Sequence, residues 1–227
     1  MENSCDKEKE SKLQIRRKVV LNRIEGIKFK TKHKKLMNKQ LSLKEILLEI
    51  KNLNVKKAIG LDKLDQNLFK SSMEISTVYL SILYNHILKN KKIPKIMKTG
   101  KLIPIPKKNG NIVDIKEIRP ISLLSVVIKM MERIMLKRLN IILSKYKVLN
   151  KHQFGFMKNK RTEHNLMTIY NKIFTTLKNK KHLLIVFLDF SKAYDTVNNN
   201  LLIKILEKYG LKNKMLTFLK NFLKERY

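Results

Sequence analysis

A single cysteine, no tryptophan, four prolines, six glycines and 18 acidic residues among 227 define this sequence by what is scarce in it. With Cys5 alone, no disulfide can close within the chain, and a reducing compartment is expected. The five histidines show no H-x-H or H-x-x-x-H pair and no cysteine at ligand spacing, so a zinc site is not expected. The longest apolar run, Leu183–Leu188, is far shorter than the roughly 20 residues a bilayer-spanning helix needs. Glu2, Asp6, Glu8 and Glu10 interrupt the N-terminus and exclude a secretory apolar core there. A soluble intracellular protein with no membrane contact is the expectation.

The shortage of acid has a sharper consequence. Fifty-one basic residues leave a formal net charge of +33. Self-repulsion on that scale opposes compaction unless a polyanion or counterions neutralise it, which makes nucleic acid the leading partner class. Drift toward Lys, Asn and Ile at tolerant surface positions supplies part of the excess, since only eight of the basic residues are Arg. No basic amphipathic stretch carries the aromatic anchor face of a membrane-surface helix. A hydrophobic fraction of 43% and a charged fraction of 30% fit a folded chain.

Residues 1–41 form a charge-dominated arm. Ser42-Leu43-Lys44-Glu45 then has the pattern of a capping box, hydroxyl at the N-cap and carboxylate at N3. Leu43, Ile46, Leu47, Ile50 and Leu53 follow on one helical face. Gly60 marks a turn, and Tyr79, Ile82, Leu83, His86 and Ile87 mark a second helix. Pro94, Gly100, Pro104 and Pro106 exclude helix beyond it. Leu102–Pro106 is predicted as an edge strand, Lys107–Asn111 as a turn and Ile112–Ile118 as its returning partner. A long helix is predicted over 124–142, with Leu124, Val127, Ile128, Met131, Ile134, Met135, Leu139 and Ile142 as its stripe. A helix over 162–177 is predicted to bury Leu166, Ile169, Tyr170, Ile173, Phe174 and Leu177. Leu183–Leu188, apolar on both faces, is predicted as a central strand. Two helices close the sequence, the first ending at Gly210. The class is α+β, rich in helix.

Asp189 ends the predicted central strand. By spacing alone it is either a turn or cap residue or a ligand for a divalent cation, because an unpaired buried carboxylate is costly. Leu188-Asp189-Phe190-Ser191-Lys192-Ala193-Tyr194-Asp195-Thr196-Val197 resembles the first catalytic block of reverse transcriptases in the form carried by non-LTR retrotransposons. Four further blocks resemble the same family in the same order. They are Lys57-Ala58-Ile59-Gly60-Leu61-Asp62, similar to a segment upstream of the fingers in jockey-type elements, and Ile103-Pro104-Ile105-Pro106-Lys107-Lys108, similar to a fingers strand. Arg119-Pro120-Ile121-Ser122-Leu123-Leu124 and Gln153-Phe154-Gly155-Phe156 complete the set. The blocks lie within residues 42–210.

The resemblance implies the fingers and part of the palm of a right-hand polymerase fold. Residues 1–41 would be a basic arm, 42–87 a helical segment upstream of the fingers, and 88–227 an incomplete reverse transcriptase domain. It implies RNA template, DNA primer and deoxynucleotide as partners and Mg²⁺ as cofactor. Asp189 would ligand two Mg²⁺ ions about 4 Å apart, with the Phe190 carbonyl beside it. Lys107 and Arg119 would lie over the triphosphate. Tyr194 would stack under the sugar and exclude a 2′-hydroxyl, and backbone N–H groups of Lys192, Ala193 and Tyr194 would bind phosphate oxygens. Asp195 is read as a turn residue, and Gln153–Phe156 as a structural turn near the template.

The sequence also departs from the family pattern. Ile59 stands where proline is usual, and Met157, Asn159 and Lys160 replace a basic-Gly-basic run. No Tyr/Phe-x-Asp-Asp and no Arg-Gly-x-x-Gln-Gly block follows Asp189. The chain is therefore expected to be truncated before the second carboxylate pair and, by itself, to be inactive as a polymerase. The alternatives are a remnant that only binds nucleic acid and an intron-encoded lineage of the same enzymes.

Overall fold

The computed structural model describes residues 31–106, 118–190 and 193–224. Lys107, Ser191 and Lys192 lie outside them, as do most of the basic arm and the turn predicted at 107–111. The chain divides into two compact units, one of residues 1–142 with 198–227 and one of residues 143–197.

In the first unit, α1 (Thr31–Asn38), α2 (Leu43–Lys51), α3 (Gln66–Ser71), α4 (Met73–Asn90) and α5 (Lys95–Lys98) precede β1 (Lys101–Pro106) and β2 (Ile118–Leu123). The helices α6 (Val126–Lys145, its last three residues in the second unit), α8 (Asn199–Lys208) and α9 (Asn213–Leu223) follow; α7 (Thr162–Lys178) belongs to the second unit. The predicted capping box is present at the start of α2. The Glu45 backbone N–H donates to Ser42 Oγ at 3.3 Å, and the Ser42 N–H donates back to Glu45 Oε2 at 2.9 Å. Ile46 and Ile50 of α2, Tyr84 and Ile87 of α4 and Ile128, Met131 and Ile134 of α6 are buried in one core. Tyr84 brings a hydroxyl into it and donates to the Val127 carbonyl at 2.7 Å. That bond satisfies the one polar atom of a fully buried ring. Burial pushes the Tyr84 phenol well above its ordinary range.

A polar seam crosses this core. Arg138 is 2% exposed and forks onto Glu45, Nε to Oε1 at 2.7 Å and Nη2 to Oε2 at 2.7 Å. Its Nη1 donates to the Lys39 carbonyl at 2.6 Å and Nη2 to that of Gln40 at 2.9 Å, so one side chain secures the connection from α1 to α2. One turn away, buried Glu49 accepts from Arg133 Nε at 2.9 Å and pairs with Lys137. The helix α9 has no side-chain cap of its own. Asn38 Oδ1 accepts from its Lys214 N–H at 2.8 Å, and Lys98 Nζ donates to the Asn221 and Lys224 carbonyls at 3.3 and 2.8 Å. Both ends of α9 are thus satisfied by residues distant in sequence. Gly210, at φ 94°, terminates α8 as predicted.

β1 and β2 pair antiparallel, with Ile105 opposite Arg119 and Pro104 opposite Pro120. Among the described residues the partner of β1 is Ile118–Leu123, which runs through the Arg-Pro-Ile block; of the predicted partner Ile112–Ile118, residues 112–117 lie outside the described residues. Two facing prolines cannot donate to each other, but in a two-stranded ladder every second pair needs no such bond.

The second unit holds α7 (Thr162–Lys178), a loop over residues 146–161 and the segment 179–197. Two predictions fail here. Leu183–Leu188 forms no strand, and Leu184, Phe187 and Leu188 are exposed, Leu188 by 89%. The helix α7 forms where predicted but buries none of its residues; Leu166, Tyr170, Phe174 and Leu177 are all exposed. One physical cause explains both. A strand buried on two faces needs ladder partners and covering layers, and the only sheet among the described residues is β1–β2. Periodicity registers which faces require cover, not whether the cover is present.

Candidate active site

The first unit brings together three of the five blocks. The β1–β2 ladder sets Ile103–Pro106 beside Ile118–Leu123. Alternation along β2 puts Arg119 and Ile121 on one face of the ribbon, and the register adds Ile103 and Ile105 to it. Arg119 is exposed there, a guanidinium on a ribbon face with Ile105 and Ile121 exposed beside it.

The third block packs where β2 gives way to α6. At Gly60 an added Cβ would lie 3.0 Å from the Leu124 carbonyl carbon, 3.0 Å from its oxygen and 3.0 Å from the Ser125 nitrogen. All three are backbone atoms and cannot swing aside. This close approach is what a side chain at residue 60 would prevent. Gly60→Ala is expected to destabilise the first unit by about 1–3 kcal/mol through overpacking, read by urea unfolding. An unchanged midpoint would show that the two segments separate freely.

Cations gather at the same junction. Partial burial holds Lys129 of α6 below the ordinary lysine range; nearby Lys57 and Arg133 push the same way, while Glu132 and Asp62 pull against them. Lys57 and Asp62 belong to the upstream block, so its charges and those of α6 share one environment.

The second unit carries Asp189, Phe190, Ala193 and Tyr194, all exposed. Asp189 Oδ1 accepts from the Phe190 N–H at 2.9 Å. Residues 193–196 form a turn, in which Thr196 Oγ1 donates to the Ala193 carbonyl at 3.3 Å. Asp189 and the Phe190 carbonyl are hard oxygen donors of the kind Mg²⁺ takes. Among the described residues, however, no group of three His, Cys, Asp or Glu could hold a metal ion. One carboxylate and one carbonyl fall short of an octahedral shell, so the donor set present does not by itself define a metal centre.

The sequence reading missed the Arg138 fork. A signal for it was available: Arg138 falls four residues after Ile134 and four before Ile142, on the apolar stripe rather than opposite it. It also missed the Gly60 contact, which joins residues more than sixty positions apart and leaves no local trace.

Among the described residues no helix is long and apolar enough to cross a membrane. The family model for reverse transcriptase (RNA-dependent DNA polymerase) matches residues 105–227. A probable RNA-directed DNA polymerase from transposon BS of Drosophila melanogaster is 31% identical over 194 residues, covering 83% of this chain and 21% of that protein. The RNA-directed DNA polymerase from mobile element jockey of the same fly is 31% identical over 187 residues, covering 82% and 20%. The jockey polymerase of Drosophila funebris is also 31% identical, over 69% of this chain and 17% of its own length. The chain thus spans about a fifth of the length of the curated relatives it matches.

Proposed function

The chain belongs to the reverse transcriptase (RNA-dependent DNA polymerase) family, and on that premise we propose that it is the nucleotide-facing part of an RNA-directed DNA polymerase of a non-LTR retrotransposon. In the complete enzyme its reaction is template-directed addition of a deoxynucleotide to a DNA primer on RNA. The observation that supports this reading best is the junction in the first unit. Three blocks that resemble the family separately in sequence, at 57–62, 103–106 and 119–124, are in contact or in register.

In this reading the chain's own groups have distinct tasks. Arg119, with Lys107, offsets charge on the incoming triphosphate. Tyr194 excludes a 2′-hydroxyl by bulk. Backbone N–H groups at Lys192, Ala193 and Tyr194 hold phosphate oxygens. Asp189 and the Phe190 carbonyl contribute the first oxygen ligands for Mg²⁺, whose chemistry when bound is to neutralise charge on the reacting oxygens. The fold in this reading is the fingers and part of the palm of a right-hand polymerase, and residues 42–87 are the helical segment leading into it.

The experiment that tests the reading replaces the aligned stretch of the jockey polymerase with this chain and measures primer extension on RNA. Incorporation above that of a jockey protein lacking the stretch supports it; a folded chimera without incorporation opposes it.

A second reading, nucleic-acid binding without catalysis by this chain, is favoured by the absence, among the described residues, of any group of three His, Cys, Asp or Glu that could hold a metal, and by the charge of +33. Both readings require contact with phosphates. If about five are neutralised, affinity for single-stranded RNA is expected to fall roughly 100-fold between about 50 and 200 mM salt through counterion release. A flat salt response in a fluorescence anisotropy titration would attribute the charge to composition alone.

A further inference from the structure

The ribbon that carries Arg119 has no third strand among the described residues, so its heading is set where its strands enter the core. β2 is exposed from Arg119 to Ser122, and burial begins at Ser125, with Val126, Val127 and Ile128 only 4%, 6% and 0% exposed. Three groups from elsewhere in the unit close on that entry. Gly60 lies against the Leu124–Ser125 backbone, and a Cβ on Gly100 would stand 3.3 Å from Leu124 Cδ2 and 3.6 Å from the Leu123 carbonyl oxygen. The third is Tyr84 of α4, whose hydroxyl donates to the Val127 carbonyl at 2.7 Å. From within the entry, Ser125 Oγ accepts from the Val127 N–H at 3.1 Å. Side chains thus hold Val127 at both of its backbone polar groups.

The Tyr84 bond does more than satisfy a buried hydroxyl. A phenylalanine would fill the same space and bring no polar atom into the core. The Val127 carbonyl, in the first turn of α6, also accepts from the N–H four residues on, so it does not depend on Tyr84. What the bond adds is direction: a short O–H···O contact fixes how the first turn of α6 is rotated against α4. Arg119 stands five residues before Leu124, about 16 Å along a strand. A change of about 5° in the heading of β2 moves Arg119 by about 1.4 Å, and a misplacement of about 1 Å is costly at a reacting centre.

We propose that Tyr84 is a positioning residue for Arg119: its hydroxyl sets the rotation of the β2–α6 junction and, through it, the placement of the guanidinium over a triphosphate. The proposal rests on the assignment of Arg119 in the reading above. It adds a residue that lies outside all five blocks of family resemblance, so motif order gives no sign of it.

The test titrates the full 227-residue chain with a fluorescent analogue of a deoxynucleoside triphosphate at physiological salt. Tyr84→Phe is expected to weaken binding roughly 2- to 10-fold, the range that one net hydrogen bond can transmit. Arg119→Ala is expected to weaken it roughly 10- to 100-fold, as loss of charged hydrogen bonds does. The double variant decides the matter. In the Arg119→Ala background, Tyr84→Phe is expected to cause no further loss, because its effect passes through the missing guanidinium. Equal losses in both backgrounds, or native affinity in Tyr84→Phe, would overturn the proposal and leave Tyr84 a packing residue. Thermal unfolding checks that Tyr84→Phe stays folded; should it not, Ser125→Ala, which frees the Val127 N–H, carries the same cycle with the same expectation. If the native chain does not bind the analogue, or Arg119→Ala keeps native affinity, the assignment of Arg119 fails and Tyr84 falls with it, so the two failures are distinguishable.

Discussion

Arg138→Ala is expected to destabilise the first unit by about 3–5 kcal/mol, the usual consequence of leaving a buried ion pair with one partner. Four hydrogen bonds vanish together, two to Glu45 and two to the carbonyls of Lys39 and Gln40. Arg138 is buried, but the Glu45 side chain it leaves behind is 32% exposed and keeps access to water, which places the loss toward the lower end of that range. For a chain of this size the loss corresponds to a fall in Tm of roughly 6–20 °C. Arg138→Lys is expected to recover only a fraction, since a point charge cannot reproduce a planar fork that serves a carboxylate and two carbonyls together. Calorimetry of the three proteins checks this, and a change in Tm of less than about 2 °C in Arg138→Ala would show that the seam contributes little.

The same fork has a pH signature. Burial alone would raise the Glu45 carboxyl, but the bonds from Arg138 and Ser42 prevail and bring it from 4.5 down to about 2. A carboxylate with a depressed folded pKa stabilises above its unfolded pKa. Its contribution is therefore complete above about pH 4.5, declines as the solution is acidified, and is lost on passing about pH 2. In Arg138→Ala that decline is expected to be much shallower over the same interval.

Where the fold was legible in the sequence, the information was local. The capping box at Ser42 and the stop at Gly210 depend on residues within one turn of each other, and both stand as read. The stripe from Val127 to Ile142 also gave a buried helix, because its cover lies within the same unit. The strand predicted at Leu183–Leu188 and the buried face predicted for α7 required a sheet that the described residues do not supply. Of the site residues, Arg119, Asp189, Phe190, Ala193 and Tyr194 were named from motif order alone. No rule of periodicity would have separated Asp189 from a turn residue. Gly60 was legible as a turn, but not as the close contact with Leu124 and Ser125 that its missing Cβ permits.

Asp189→Asn carries the largest expected effect on activity. The substitution keeps the size of the side chain and its ability to accept from the Phe190 N–H, but removes the negative charge that a divalent cation requires. In the jockey chimera it is expected to lower primer extension by about 10³-fold, the scale on which loss of a charge-stabilising group acts at a reacting centre. Asp195→Asn, further along the same motif, is expected to retain activity, because the reading proposed above gives the metal-ligand role to Asp189 and not to Asp195. The isolated 227-residue chain is expected to incorporate nothing.

The most direct test is single-nucleotide primer extension on an RNA template by three forms of the chimera: unsubstituted, Asp189→Asn and Asp195→Asn. The account requires incorporation by the unsubstituted and Asp195→Asn forms, and a loss of about 10³-fold in Asp189→Asn. Equal incorporation with Asp189→Asn would contradict it, because the carboxylate would then have no part in the chemistry.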